Sequence, residues 1–509
     1  MPSSAENNKR IAKNTILLYF RMLLIMCVTL YTSRVVLDKL GELDYGIYNV
    51  VAGVIVALAF INGAMSQSTQ RFLAVEIGLN DLSKARKVFT SAIIIHGLIA
   101  IGVLIIGETI GLWLINSVLE YPVDKKFQVN VIYQLSIFTF IVSVMQVPFN
   151  AEIIAHEKMK FFAYLSMLEA ALKLGIALSL TLISGEKLIY YGLMIFVSSL
   201  LCSAVYIFYC LKSFSETCLD RNINRDLIRQ MGSFSGWNSM GFLVAAFKNQ
   251  GLNIILNIFF GPIVNAAFGI CNQVNSAVNS FNQNFMTAMN PQIFKTYAQN
   301  KIEDFSNLVY RGSKFSFLLI AILSFPVFLN TGFVLNLWLK EVPEYTVTFV
   351  QLILVNTILE SFTYSIGTAI QAKGDIKWYQ IFVSGINLLM LPIAFLFFRL
   401  GFGPTYGLIV LACISLISLI VRLYFLNSIL RINLNVYFMK VLLPSLVISL
   451  IIIAVIKVLN YFSSDSIFQY FLELLIGWAI LLFSVWIIGL SKGEKQYILN
   501  FVNTKFLHR

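Results

Sequence analysis

Charged residues are scarce in this sequence. Asp, Glu, Lys and Arg make up only 12% of the 509 residues, whereas hydrophobic residues make up 58%. Soluble domains carry about 25% charged residues, so this composition excludes an ordinary soluble domain. Apolar runs of about 20 residues or more, the length that crosses a bilayer, account for almost the whole chain. The sequence therefore predicts an all-α, polytopic membrane protein.

Residues that build metal, disulfide or catalytic sites are also few. The six cysteines form no CxxC pair, and the three histidines, which are too few and too scattered for a metal site, are His96, His156 and His508. A Walker motif is absent, and residues 401–404 (GFGP) fit a helix-breaking turn better than a nucleotide motif. The predicted external loops, about ten residues at most, leave no room for the catalytic loops of a membrane glycosyltransferase, polymerase or ligase. We expect no enzyme activity, no cofactor and no metal.

The apolar runs predict about fourteen transmembrane helices. Twelve of them form two groups of six, and the last two follow as an addition at the C-terminal end. The predicted spans are 12–37, 45–72, 87–116, 127–154, 160–183, 188–212, 231–258, 262–295, 311–338, 346–371, 376–399, 403–427, 435–459 and 467–490.

Basic residues are distributed unevenly over the predicted loops. The formal net charge is +12, with 37 Lys and Arg residues. With the N-terminus inside, about 25 of these 37 fall on one side of the membrane and about seven on the other. This asymmetry is what the positive-inside rule describes, so both termini are predicted to be cytoplasmic. The positive charge is explained by topology and does not indicate a nucleic-acid partner.

Short matches at an offset of about 220 residues indicate an internal repeat. The matched pairs are 45–49 (YGIYN) with 268–272 (FGICN), 70–72 (QRF) with 292–294 (QIF), and 155–160 (AHEKMK) with 372–377 (AKGDIK). Because each copy holds six spans, the copies have the same orientation, as in parallel transporter repeats. We predict two six-helix lobes around a central cavity: an N-terminal lobe over 1–212, a loop over 213–230, a C-terminal lobe over 231–430, and the last two helices with a tail over 431–509.

Four cations of the first, second and seventh predicted spans are candidates for substrate contact, because a charge inside a span usually faces a water-filled cavity or a charged ligand. Lys248 lies in the apolar segment 231–258, which contains no acidic residue. The other three are Arg21, Arg34 and Arg71. One interpretation is that they contact a large anionic substrate. The alternatives are that Arg21 and Arg71 reach the membrane surface by snorkelling, and that Arg34 pairs with Asp38 one turn later.

Acidic residues inside the spans allow two interpretations. Glu360 has no basic neighbour in the sequence. It is a candidate for proton or cation coupling, and the alternatives are a protonated carboxyl or a pair with a group on another helix. Glu169 and Lys173 are four residues apart in the order that favours an ion pair, so mutual neutralisation explains them without a function.

Asn and Gln side chains are concentrated in the second, seventh and eighth predicted spans. They recur every three or four residues in the eighth span and form a polar stripe there. The candidate sugar-contacting residues are Asn62, Gln70, Asn249, Asn253, Asn272, Asn275 and Asn279. Hydrogen bonds between membrane helices, worth about 0.6 kcal/mol each, explain two or three such residues. A larger set is typical of a path for a polyhydroxylated substrate.

Residues near the N-terminus resemble a known family. Segments 14–15 (NT), 34–37 (RVVL), 40–41 (LG) and 45–49 (YGIYN) resemble the Wzx-type oligosaccharide flippases of the multidrug/oligosaccharidyl-lipid/polysaccharide exporter superfamily. The likeness in span layout covers the whole chain, and the likeness in motifs is concentrated in about the first 90 residues.

This resemblance implies a two-lobed, V-shaped bundle whose central cavity is lined by spans 1, 2, 7 and 8. It implies alternating access that moves a prenyl-diphosphate-linked oligosaccharide across the bacterial inner membrane, with Arg21, Arg34, Arg71 and Lys248 on the diphosphate. It also implies that spans 13 and 14 hold the prenyl tail. Expected partners are the lipid-linked substrate, membrane lipids, a coupling proton or sodium ion, and polysaccharide polymerase machinery.

Three functions are compatible with the sequence. The first is the oligosaccharide flippase. The second is a multidrug cation antiporter of the same fold, which the excess of embedded Arg and Lys in spans 1, 2 and 7 argues against. The third is a membrane-embedded glycan polymerase or ligase, which the short external loops argue against.

Overall fold

Helices make up nearly all of the structure. The computed structural model describes residues 4–41, 43–48, 51, 59–117, 121–183, 185–220, 222–339, 341–462 and 467–496, and these residues contain no β-strand. The α-helices of eight or more residues are α1 Ser4–Leu40, α2 Ala59–Gly78, α3 Leu82–Ile106, α4 Lys126–Ala155, α5 Met159–Ser179, α6 Lys187–Ser213, α7 Arg225–Ala298, α8 Ile302–Leu329, α9 Thr331–Trp338, α10 Thr346–Ser361, α11 Thr363–Lys373, α12 Lys377–Arg399, α13 Thr405–Leu430, α14 Leu443–Phe462 and α15 Ile467–Ser484. The all-α prediction is confirmed.

Local chemistry sets several helix ends. The Asp81 side chain accepts from the Lys84 backbone N–H at the start of α3, and Asn224 does the same for Leu227 at the start of α7. Such caps satisfy backbone donors that have no partner inside the helix. Within α7, Gly261 adopts φ +79°, which other residues rarely adopt. The break in α7 therefore lies at the predicted boundary between the seventh and eighth spans.

In its described part, the chain has 12 helical segments that are long and apolar enough to cross a membrane. Two of the fourteen predicted spans are not among them. The second span, 45–72, includes residues outside the described part. The eighth, 262–295, forms the second half of α7 and is helical, but its Asn and Gln side chains make it less apolar than the others. The protein is thus a multi-pass membrane protein.

The described chain divides into two compact units. The first unit comprises Met1–Leu243, Thr287–Lys301 and Gly374–Lys377, and the second comprises Val244–Met286, Ile302–Lys373 and Trp378–Arg509. The predicted lobe boundaries stay a prediction.

Each unit has its own apolar core. In the first unit, buried residues of α3, α4 and α6 meet around Tyr133, which is fully buried and donates its hydroxyl to the Gly107 carbonyl over 2.7 Å. In the second unit, α7, α10, α12 and α13 bury Phe268, Phe349 and Leu408. Continuous apolar helices leave few polar groups inside, so the exceptions indicate where a function lies.

The last two helices belong to the second unit and pack against α8. The Tyr470 hydroxyl on α15 donates to the Pro326 carbonyl over 2.9 Å. Lys314 on α8 forms an ion pair with Glu494, at 2.6 Å, beyond the end of α15. These contacts attach the C-terminal helices to the core of their unit.

Candidate functional site

A cavity of about 590 Å³ lies inside the first unit. It is bounded by α2, α4, α5 and α6, and its wall is rich in hydroxyl and amide groups. The polar residues that line it are Tyr48, Asn62, Ser66, Ser136, Thr139, Ser143, Gln146, Asn150, Glu169, Lys173, Ser198 and Ser199. Its volume lies within the range of about 300–1,000 Å³ that is usual for ligand pockets.

Helical periodicity explains why α4 presents polar groups along one line. Five of its polar residues are spaced by three or four positions and share one face: Ser136, Thr139, Ser143, Gln146 and Asn150. Sequence reasoning missed this stripe because it weighed charges and amides and gave no weight to hydroxyls. The 3–4 spacing of hydroxyls was the signal that could have found it.

Hydrogen bonds at the cavity wall leave a polar atom available. Asn62 on α2 donates to the Ser143 hydroxyl on α4 over 2.9 Å, so this predicted residue joins two walls of the cavity. Another wall atom, Asn150 Oδ1, is buried and has no hydrogen-bond partner in the described chain. A buried polar atom without a partner costs about 1–3 kcal/mol. A polar ligand in the cavity would satisfy this atom.

The charges at the cavity wall neutralise each other. Lys173 Nζ lies 2.8 Å from Glu169 Oε1, with side chains 49% and 39% exposed. The pairing that the sequence suggests is therefore present, and both members also line the cavity. Because the pair is partly open, either charge can exchange its partner for a ligand group.

Of the predicted cations, Arg21 lies beside this wall. Its guanidinium donates to the Ser166 hydroxyl on α5 over 3.2 Å and lies 4.5 Å from the centre of the Phe162 ring. Ser166 precedes Glu169 by one turn on the same helix. Arg34 is exposed on α1, and Asp38, its suggested partner, forms an ion pair with Lys39 at 2.7 Å.

Arg71 and Gln70 lie at the other end of α2. Arg71 is 9% exposed and lies over the rings of Phe72 and Phe234, 4.5 and 5.1 Å from their centres. Gly374, at φ +96°, leaves room for the guanidinium, since a Cβ there would overlap it. Gln70 donates to the Ser66 hydroxyl, 3.2 Å away, and Ser66 lines the cavity.

Lys248 and Glu360 meet in the second unit. Lys248 Nζ on α7 lies 3.0 Å from Glu360 Oε1 on α10, with side chains 12% and 26% exposed. The Ser415 hydroxyl on α13 donates to the same oxygen over 3.4 Å. Among the interpretations of Glu360 that the sequence left open, the structure shows an ion pair with a residue of another helix.

Part of the amide stripe on α7 holds helices together. Asn279 donates to Asn275 Oδ1 over 2.8 Å, and the Thr357 hydroxyl donates to the same oxygen over 2.7 Å. The Tyr364 hydroxyl donates to Asn279 Oδ1 over 3.4 Å. The first of these bonds lies within α7, and the bonds from Thr357 and Tyr364 fit the alternative in which the amides connect helices.

The remaining predicted amides have different surroundings. Asn249 is exposed, and Asn253 and Asn272 are half-buried. Asn282, also on the stripe, is fully buried, and neither its Nδ2 nor its Oδ1 has a hydrogen-bond partner in the described chain.

A further cation in the second unit was missed from the sequence. Arg422 on α13 donates to the Tyr379 hydroxyl on α12, and its Nε lies 3.4 Å from the Ser418 hydroxyl. It lies within the predicted span 403–427 but was not considered as a candidate. Like Lys248 and Glu360, it is half-buried in the second unit.

One buried carboxylate connects three segments of the first unit. Glu157, in the turn between α4 and α5, is contacted by Arg10 Nε on α1 at 2.7 Å. It is also contacted from the end of α7 by Lys295 Nζ at 2.7 Å and by the Gln292 amide at 2.6 Å. Its side chain is 2% exposed. Breaking these contacts would leave buried charges unpaired, so the Glu157 cluster fixes the ends of these helices.

Neither a family model nor a curated protein matches the sequence. Solved structures do match. The outward-facing conformation of a multidrug resistance MATE family transporter of the MOP superfamily has a TM-score of 0.73 at 12% identity and covers 84% of this chain and 96% of that chain. A MOP superfamily transporter from Pyrococcus furiosus has a TM-score of 0.71 at 13% identity and covers 84% of this chain and 96% of that chain. A MATE protein in complex with MaL6 has a TM-score of 0.72 at 12% identity and covers 85% and 99%.

The chain therefore has the fold of MATE transporters of the MOP superfamily. At these identities the similarity concerns the fold alone. This similarity of fold agrees with membrane transport. It does not identify the substrate, for which the cavity and its charges are the evidence.

Proposed function

We propose that the protein is a flippase that moves a prenyl-diphosphate-linked oligosaccharide across the bacterial inner membrane by alternating access. The observation that carries this proposal is the cavity of about 590 Å³ in the first unit, with its hydroxyl and amide wall. An oligosaccharide offers many hydroxyl groups that both donate and accept hydrogen bonds. Serine hydroxyls and Asn and Gln amides are the matching protein groups, since they also do both.

An unsatisfied amide oxygen at the wall supports a polyhydroxylated ligand. Asn150 Oδ1 is buried without a partner in the described chain. A sugar hydroxyl would donate to it, whereas an apolar drug would leave it unsatisfied.

The diphosphate needs cations that are accessible and close to the sugar cavity. Arg21 and Lys173 meet both conditions, because Lys173 lines the cavity and Arg21 contacts the same helix, α5. Arginine is suited to phosphate because its planar fork of N–H groups binds two oxygens at once. We propose that Arg34 and Arg71 contact the diphosphate at other points of the transport path.

Lys248 and Glu360 have a different proposed role. Their ion pair is largely buried, so adding a proton or a sodium ion to Glu360 would release Lys248. This change of charge is a means of coupling transport to an ion gradient. We keep both termini in the cytoplasm, as the charge asymmetry of the loops predicts.

The multidrug cation antiporter is the second candidate, and the fold favours it, since the similar structures are of a multidrug resistance MATE transporter and of other MATE proteins. A lipophilic cation requires an acidic or aromatic site. Among the described residues that line this cavity, the one carboxylate, Glu169, is paired with Lys173. Because this pair is neutral, Arg21 beside the wall makes the local charge positive, which favours the diphosphate-linked oligosaccharide.

Transport by purified protein in proteoliposomes tests the proposal. The vesicles contain a prenyl-diphosphate oligosaccharide, and a membrane-impermeant glycan-modifying reagent reports how fast sugar from the inner leaflet becomes accessible. We expect protein-dependent acceleration that Glu169→Gln and Lys173→Met reduce. A parallel set of vesicles measures uptake of a fluorescent lipophilic cation under a proton gradient. Cation uptake without acceleration of sugar exposure would support the antiporter and contradict the flippase.

A further inference from the structure

Three side chains with metal-binding atoms meet at the end of α4, outside the cavity. Glu152 and His156 are one helical turn apart, and Glu216 belongs to the 3₁₀ turn Ser215–Thr217 after α6. One ligand atom from each residue lies within 4.8 Å of the other two. The 3₁₀ turn begins segment 213–230, which the sequence predicts to connect the two lobes. The cluster therefore joins this segment to α4.

The imidazole of His156 lies between the two carboxylates. Its Nε2 is 2.5 Å from Glu216 Oε1 and 3.1 Å from Glu152 Oε1. The ring is stacked on Phe214 with ring centres 4.3 Å apart, which fixes its orientation. The Ser215 hydroxyl donates to the second oxygen of Glu216 over 3.3 Å. One nitrogen and two carboxylate groups are thus held facing one another.

Glu152 is the less well partnered carboxylate of the cluster. Its side chain is 0% exposed, and His156 Nε2 approaches its Oε1 to 3.1 Å without good hydrogen-bond geometry. A buried carboxylate is costly unless it is paired or coordinates a metal. A cation bound between the three groups would neutralise Glu152 and Glu216 together.

The charges of the cluster favour a cation at its centre. Two carboxylates and one imidazole nitrogen have ligand atoms within 4.8 Å of one another. A divalent cation carries twice the charge of a proton and contacts all three groups at once.

We propose that Glu152, His156 and Glu216 bind a divalent first-row transition-metal ion of the Zn²⁺ or Mn²⁺ type, which fixes the start of segment 213–230 to α4. One imidazole nitrogen and two carboxylate oxygens are common ligands of such ions, and water completes the coordination. Mg²⁺ and Ca²⁺ prefer oxygen ligands alone. The sequence expectation of no metal weighed only histidines and cysteines, and it did not consider carboxylates brought together by the fold.

Metal content and affinity of the full-length protein test this proposal. The chain is purified in detergent through a tag without histidines, stripped with EDTA and titrated with Zn²⁺, Mn²⁺, Mg²⁺ or Ca²⁺ by calorimetry, with bound metal measured by elemental analysis. We expect one Zn²⁺ per chain, weaker Mn²⁺, and no binding of Mg²⁺ or Ca²⁺. Glu216→Gln and His156→Gln should remove the bound ion, whereas Glu303→Gln, at an exposed carboxylate of α8, should keep it.

Hydrogen exchange gives a second measurement that does not depend on a variant's stability. Peptides that cover 213–220 should exchange more slowly in the wild-type protein with Zn²⁺ than with EDTA, while α15 exchanges equally in both. The proposal is overturned if the wild-type protein binds no stoichiometric ion. It is also overturned if binding survives in folded Glu216→Gln protein. In either case the cluster would be a protonated histidine shared by two carboxylates.

Discussion

The two units differ in how their most prominent intramembrane polar residues are partnered. In the first unit, hydroxyls and amides of α2, α4 and α6 border a cavity, and the buried Asn150 Oδ1 has no partner in the described chain. In the second unit, the most noticeable polar residues bind one another: Lys248 pairs with Glu360, and Asn275 binds Asn279 and Thr357. Judged by residue type alone, the second unit would be the better candidate for the binding site. Judged by which polar groups already have a partner, the first unit is the better candidate.

This difference shows that an embedded charge has two physical uses. A charge in a low-dielectric interior must be neutralised, and a second side chain or a ligand can do so. Where a protein partner is within 3.0 Å, as for Lys248, a ligand must displace it before it can bind. Where the polar group is an unpaired hydroxyl or amide, ligand binding has no such partner to displace.

The largest expected effect on stability is in the second unit. Lys248→Ala leaves Glu360 buried without its cation, and Glu360→Ala does the reverse. Removing one partner of a buried pair costs about 3–5 kcal/mol. Thermal unfolding in detergent should show a large loss in each single variant and a much smaller loss in Lys248→Met/Glu360→Gln, where neither charge remains.

Lys126→Ala, at an exposed lysine, serves as the control and should be close to wild type. If the two single variants were as stable as the double variant, the ion pair would not neutralise these charges, and the contrast between the units would be lost.

Asn282 offers a way to sharpen the comparison, since it is the buried amide of the second unit that lacks partners in the described chain. Asn282→Leu replaces an unsatisfied polar group with an apolar one of similar size. We expect it to raise the free energy of unfolding by about 1–3 kcal/mol. A loss of stability would show that Asn282 is satisfied in the folded protein. Denaturation in detergent, followed by tryptophan fluorescence, measures the change.

The hydrogen bonds of Asn275 should have a smaller effect. Asn275→Ala removes the acceptor for Asn279 and Thr357, and hydrogen bonds between membrane helices average about 0.6 kcal/mol each. We expect a loss of about 1 kcal/mol and sugar transport within about twofold of wild type. A severe transport defect at full stability would indicate that Asn275 contacts the substrate, contrary to its role in joining helices.

The smallest expected change in stability is at the cavity wall. Glu169→Gln and Lys173→Met break a partly exposed pair, and such pairs contribute about 0.2–1 kcal/mol. Their transport rates should nevertheless fall, because both side chains border the cavity. A melting temperature shifted as far as that of Lys248→Ala would show that this pair is structural. Differential scanning fluorimetry and the sugar-exposure assay on the same preparations decide the question.

The sequence predicted the fold better than it predicted the site, and particular residues show why. Apolar length alone indicates α3, α13 and α15, because a long helix with so few charges must lie in the membrane or in a core. The pairing of Lys248 with Glu360 joins residues 112 positions apart, so no local pattern contains it. The α4 stripe was present in the spacing of its hydroxyls and amides, but serine and threonine also bond to their own helix, as Thr139 does to the Leu135 carbonyl. Only the packing of four helices shows that this stripe borders a cavity.

Filling the cavity tests the central claim most directly. Ser199→Trp adds a large side chain at the cavity wall, and Leu201→Trp adds the same side chain at an exposed position of the same helix, where Leu201 is 55% exposed. Both variants are reconstituted, and the exposure rate of prenyl-diphosphate oligosaccharide is compared with that of wild type. The account predicts that Ser199→Trp blocks transport while Leu201→Trp retains it. Equal transport by the two variants would contradict a substrate path through the cavity of the first unit.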